Sequence, residues 1–122
     1  MQLLLHTQTV FSSAHFLREY EGLCRNVHGH EWLVELWISG DSSKKDEIGI
    51  LFDFGKIKTL KDYVDHKLIN DQPPFTRINP TAENLSEWAY DFFKEKDPDL
   101  MFKVRVYETT IEKKTWCECG DF

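Results

Sequence analysis

Nothing in this 122-residue chain marks it for nucleic acid, for a membrane or for a scaffold built on disulfides. Lys and Arg number 15 against 21 Asp and Glu, the formal charge is -6, and no block of basic residues occurs. The counterion-releasing footprint that holds a polyanion is therefore missing, and nucleic acid is excluded as a partner. A phosphorylated small molecule stays open, because a few placed cations or backbone N–H groups suffice to bind one. No stretch approaches the roughly 20 apolar residues of a membrane span. The N-terminal Met-Gln-Leu-Leu-Leu-His-Thr lacks the basic region, apolar run and cleavage site of a signal peptide, so a cytoplasmic protein without a membrane partner is expected. Three cysteines, Cys24, Cys117 and Cys119, are an odd set and no secreted disulfide framework. Repeats, linkers and low-complexity segments are absent too. One domain over residues 1–122 is expected, small enough that burial in an oligomer would supplement its core.

What is present is ample core material, with nine Phe and four Trp, so the chain should fold. Gln2 to His15 reads as a long strand, with Leu3, Leu5, Thr7, Thr9 and Phe11 on one alternating face. Residues 16–27 read as a loop. A second strand covers Glu31 to Ser39, and the period of two places His28, His30, Trp32, Val34, Leu36 and Ile38 on one face. A short extended segment is expected at Gly49 to Asp53. A helix over Gly55 to Asp65 follows from Ile57, Leu60, Val64 and Leu68. After a proline-broken loop, Thr81 is placed to cap a second helix whose apolar stripe is Leu85, Trp88, Ala89, Phe92 and Phe93. Strands at Met101 to Thr110 and Thr115 to Glu118 complete the order strand, strand, helix, helix, strand, strand. That order predicts an α+β domain with an antiparallel sheet and both helices on one face.

Five histidines are available, and three neutral imidazoles with an open fourth position are a common catalytic zinc set. His28 and His30 share a strand face, and His15 completes the set if the two strands pair antiparallel through the 16–27 loop. The plain alternative is a strand-end histidine and a His-Gly-His turn. Cys24, four residues before His28, is a ligand, a nucleophile or a base if a metal is near, and otherwise an ordinary buried cysteine. Cys117 and Cys119 read as alternating strand residues rather than a second metal pair. Asp65-His66 is a proton-transfer unit if the helix ends there, since sequence neighbours on a helix diverge; otherwise it is a solvated helix end. Glu108 follows Phe102, Val104 and Val106 on one face. Facing inward it must be paired, protonated or bound to a ligand such as a heterocycle offering two N–H groups; slipped by one residue it is a surface charge.

Six segments in register, Phe11-Ser-Ser-Ala-His15, Cys24-Arg-Asn-Val-His28-Gly-His30, Asp53-Phe54, Asp65-His66-Lys-Leu-Ile-Asn70, Pro80-Thr-Ala-Glu-Asn84 and Tyr107-Glu108-Thr109, closely resemble the 6-pyruvoyl-tetrahydropterin synthase family. The resemblance implies the tunnelling fold, assembled through its sheets into trimeric barrels commonly paired as homohexamers with active sites between subunits. It implies Zn2+ on His15, His28 and His30, a catalytic set of Cys24, Asp65 and His66, and Glu108 as the anchor of the pterin ring. The implied substrate is 7,8-dihydroneopterin triphosphate. Three residues between Cys24 and His28 resemble the 6-carboxytetrahydropterin synthases of queuosine and other deazapurine biosynthesis, which also release acetaldehyde. Enzymes forming 6-pyruvoyltetrahydropterin typically have a longer insertion there. A non-catalytic zinc- or pterin-binding module is the reading from another class. Arg18, Arg25, Lys67 and Arg77 are candidates for triphosphate by charge.

Overall fold

The computed structural model describes residues 1–111 and 114–122. Strands β1 (Gln2–His15), β2 (His28–Asp41), β3 (Met101–Tyr107) and β4 (Trp116–Gly120) form one antiparallel sheet in the order β1-β2-β3-β4. Helices α1 (Lys56–Val64) and α2 (Ala82–Lys96) lie between β2 and β3 in sequence and cover one face of the sheet, the α+β arrangement expected. No helix among the described residues is long and apolar enough to cross a membrane.

Period-two alternation decides which face is covered. On β2, Trp32, Val34, Leu36 and Ile38 are buried, as are Phe102, Val104 and Val106 of β3. The helices meet them with Ile57, Leu60 and Val64 of α1 and Leu85, Ala89 and Phe93 of α2, positions spaced to fall on one helical stripe. Full burial of a residue such as Phe93 contributes roughly 1.5–3 kcal/mol. Thr81 caps α2 as expected, its hydroxyl accepting from the Asn84 amide at 3.1 Å. On the opposite face the strands carry a polar network in which Glu35 accepts from Tyr107 at 2.7 Å and Arg105 bonds Glu118 at 2.9 Å.

Three strands differ in extent from the expected ones. β2 begins at His28 and runs to Asp41, so the His-Gly-His run lies inside the ladder with β1 and does not merely lead into it. β3 ends at Tyr107, short of Thr110, and β4 covers Trp116–Gly120. The segment Gly49 to Asp53 is no strand. The Asp46 carboxylate accepts from the Ile48 and Ile50 amides, and Gly49 adopts φ 91°. A side chain thereby takes the backbone groups that a ladder would have used. Phe52 still reaches the core, 5.8 Å from Phe102 between ring centres.

Candidate metal centre

β1 and β2 pair in a register that sets His15 directly opposite His28 and Ser13 opposite His30. Directly opposed residues of an antiparallel pair point to the same face, and His30 returns to that face two residues on. Three imidazoles consequently converge where the hairpin opens. One ring nitrogen from each lies within 4.8 Å of the others, against about 3.4 Å for two nitrogens on one tetrahedral zinc with bonds of 2.0–2.1 Å.

The hydrogen bonds around the rings show what those nitrogens can do. His15 Nδ1 donates to the Pro80 carbonyl at 2.8 Å, and His28 Nδ1 donates to the Asn26 carbonyl at 2.7 Å. A carbonyl only accepts, so the proton of each neutral ring is on Nδ1 and the lone pair is on Nε2. The Nε2 atoms of His15 and His30 are buried without a hydrogen-bond partner. Buried polar atoms left unpaired are costly, and a metal ion is a partner that suits two such nitrogens close to a third. Carbonyl bonds behind the ligating rings also fix tautomer and orientation in known metal centres. The donor set fits a divalent ion such as zinc.

Trp32 forms the floor, its ring edge-on to His15 at 4.9 Å and to His30 at 5.3 Å, and its indole N–H donates to the Ser13 carbonyl at 3.3 Å. Burial against this floor is the main cause that lowers the His15 pKa to about 4; the Pro80 bond opposes it and His28 and His30 add to it. His30 is also lowered, chiefly by burial, with Glu108 acting in the opposite sense. Both rings are thus held neutral, the form a metal requires.

A pH dependence follows for the metal-free protein. His15 binds its proton at about 4 when folded and at 6.5 ordinarily, so between those values the unfolded chain carries more protons. The stability that neutral, buried His15 contributes is complete above pH 6.5 and is lost as pH falls toward 4. Urea unfolding of chelated protein should show a loss of about 2 kcal/mol between pH 7.5 and pH 5 from this group. Equal midpoints at the two values would show that the ring is not buried neutral.

Cys24 sits half-buried in a single 3-10 turn, Leu23–Arg25, in the loop that joins the two histidine strands. Its sulfur is not among the converging ligand atoms. Glu108 is the first residue past β3, and its carboxylate lies 3.9 Å from His30 Nε2. It therefore points toward the histidines, as alternation predicted, although the strand has already ended.

Asp65 and His66 meet the condition set for them. α1 stops at Val64 and Asp65 is extended. His66 takes φ 55°, in the left-handed region that non-glycine residues seldom occupy. The Asp65 carboxylate then reaches His66 Nδ1 at 3.0 Å and accepts from the Ser12 amide at 3.0 Å. Partial burial works against ionisation of Asp65, but these two partners outweigh it and its pKa is lowered. The His66 ring is 81% exposed and lines, with His30, Ser12 and Lys67, an open cleft of about 520 Å³. Among the described residues no hydrogen bond joins Cys24 to this pair.

Two of the four cations considered for triphosphate are already engaged. Arg18 donates to the carbonyls of Phe75 and Ile78, and Lys67 to those of Asp62 and Tyr63 at the end of α1. The supporting carbonyls of Pro80 and Asn26 escaped the sequence reading because a backbone acceptor has no side-chain signature. Trp32 had a signal, being next after His30 on the same strand face.

Comparison with known proteins extends this local picture to the whole chain. Residues 4–120 match the family described as 6-pyruvoyl tetrahydropterin synthase. The 6-carboxy-5,6,7,8-tetrahydropterin synthase of Bacillus subtilis is 34% identical over 112 residues, covering 87% of this chain and 68% of that protein. The 6-pyruvoyl tetrahydrobiopterin synthase of Dictyostelium discoideum is 32% identical over 123 residues, covering 88% of this chain and 90% of that one. The solved structure of Caenorhabditis elegans 6-pyruvoyl tetrahydropterin synthase superposes with a TM-score of 0.73 over 98% of this chain and 96% of that one; at 23% identity the likeness is one of fold. The family match reaches into every strand and helix described above, and the chain belongs to the 6-pyruvoyl tetrahydropterin synthase family.

Proposed function

We propose that this chain is a 6-carboxy-5,6,7,8-tetrahydropterin synthase, a lyase that converts 7,8-dihydroneopterin triphosphate to 6-carboxytetrahydropterin with loss of triphosphate and acetaldehyde, on the route to queuosine and related deazapurines. The observation that carries the reading is the convergence of His15, His28 and His30 with two buried, unpartnered Nε2 atoms. Zinc on these three rings would supply a Lewis acid to an oxygen of the substrate side chain.

The remaining chemistry belongs to side chains. Cys24 lies in the loop that joins the two histidine strands and outside the ligand set, and the family resemblance gives it the role of the base that takes a side-chain proton. His66, oriented by Asp65 at 3.0 Å, exchanges protons at a second position on the side chain. Glu108 points toward His30 and accepts from the N–H groups of the pterin ring, holding the side chain at the metal. The exposure of His66 supports a site completed between subunits, in which the Asp65-His66 pair of one copy serves Cys24 of another. β1 is an edge strand, bridged on its outer side, among the described residues, only near its end, where Ala14 meets Leu68. Such an edge suits sheet-to-sheet assembly into a homohexamer.

The carboxy product is favoured by the gap of Arg25, Asn26 and Val27 between Cys24 and His28 and by the name of the Bacillus relative. The Dictyostelium relative carries the alternative name, and the two products differ in mass. Purified protein incubated with zinc and dihydroneopterin triphosphate should yield acetaldehyde and a carboxylated pterin, and neither after chelation. A pyruvoyl pterin without acetaldehyde would assign the other branch, and pterin binding without triphosphate release would show a non-catalytic module.

A further inference from the structure

Beyond His15 the chain leaves β1, yet residues 16–18 are bonded as a strand would be. Asn70 accepts from the Phe16 amide on Oδ1 at 3.0 Å and donates from Nδ2 to the Phe16 carbonyl at 3.0 Å. Asn79 repeats the pattern at Arg18, with distances of 2.9 and 3.1 Å. A ladder neighbour offers one acceptor and one donor to every second residue of an edge, and here two side-chain amides supply them. Asn70 is only 3% exposed, a burial that costs free energy unless its amide is bonded in this way. Leu17, between the two, donates its amide to the Cys24 carbonyl at 2.9 Å. The bonded stretch is therefore joined to the turn that carries Cys24.

The second amide is itself fixed. The Asn79 carbonyl accepts from Asn84 Nδ2 at 2.8 Å and from the Thr81 amide at 2.9 Å. Its next residue, Pro80, presents the carbonyl that orients His15. One set of bonds thus connects the start of α2, a metal-site ring and the cysteine turn.

We propose that Asn70 and Asn79 are positioning residues: their amides substitute for a missing strand beside residues 16–18, and so hold His15 against Pro80 and place the Cys24 turn. The proposal rests on the reading of the histidines and Cys24 given above. It gives Asn70, Pro80 and Asn84, all within the six sequence segments, a part in the site through their hydrogen bonds.

The test compares Asn79→Ala, Asn79→Asp and Asn70→Asp in the full chain. The aspartates keep the acceptor for the amide and lose the donor to the carbonyl. Zinc affinity is measured by chelator competition, and alkylation of Cys24 is followed by peptide mapping with Cys117 and Cys119 as internal references. Asn79→Ala should weaken zinc binding about tenfold, the low end for losing support behind a ligating histidine. In a His15→Ala background the same change should have no further effect. Asn70→Asp should alter the Cys24 alkylation rate several-fold relative to the two reference thiols. Folded aspartate variants with wild-type zinc affinity and unaltered alkylation ratios would overturn the proposal. A wild-type affinity that ignores His15→Ala would instead overturn the metal reading, and the alkylation ratio still judges the clamp at Cys24.

Discussion

Cys24→Ala is expected to lower turnover of dihydroneopterin triphosphate by about 10²–10⁴-fold, the usual worth of a positioned base, while zinc stays near one ion per chain. The second half of that result is the more diagnostic. The sulfur is outside the group of converging nitrogens, and the hydrogen bond that holds Cys24 to the neighbouring chain is made by its backbone carbonyl, which accepts from Leu17. Alanine keeps that bond. Unfolding midpoints should accordingly move little. Turnover by coupled triphosphate release, with metal content by mass spectrometry on the same sample, separates the outcomes. Zinc lost together with activity would make Cys24 a ligand, and activity retained would remove it from the mechanism.

His28→Ala is expected to have the next largest effect, and in the opposite pattern, with metal and turnover lost together. Structural zinc sites bind with roughly 10–16 kcal/mol over four ligands, so one ligand carries about 3 kcal/mol, or on the order of a hundredfold in affinity. His28 is the better choice for this experiment than His15. His15 is 1% exposed and packs on Trp32, so its removal also opens a cavity in the core. His28 is half-buried, and its Nδ1 bond reaches only as far as Asn26. Equilibrium dialysis against zinc should show the loss, and near-wild-type unfolding of the chelated variant should show that the fold survives. Full zinc occupancy in His28→Ala would remove that residue from the metal centre.

The parts of this site that were legible in the sequence are those governed by a short period. His28, His30 and Trp32 share a face because strands alternate, and Ile57, Leu60 and Val64 share one because helices turn every 3.6 residues. Thr81 is readable as a cap because its hydroxyl acts three residues away. The pairing of His15 with His28 depends instead on register, which a loop as long as residues 16–27 does not set. The histidines themselves made that register the expected one. Asp65 and His66 required knowledge of where α1 stops, and the left-handed φ of His66 is only weakly signalled, because histidine is enriched in that region yet seldom found there. Charge alone does not show where Arg18 and Lys67 are held. Both side chains end on backbone carbonyls, acceptors that composition does not reveal. The short extended segment expected at Gly49 to Asp53 pairs with no described strand for a related reason, because one carboxylate, Asp46, takes the Ile48 and Ile50 amides.

The opposition of His15 and His28 at the last rung of the β1–β2 ladder has a consequence for how the molecule opens. An ion held by both rings and by His30 ties the two strands together where they leave the ladder for the 16–27 loop. It closes the chain between residues 15 and 28 much as a covalent cross-link would, restricting the unfolded ensemble as well as the folded one. With the ion bound, the base of the 16–27 loop is pinned by side chains as well as by the ladder. Metal supply would then govern how long the protein resists proteases in that loop as well as how fast it turns over substrate.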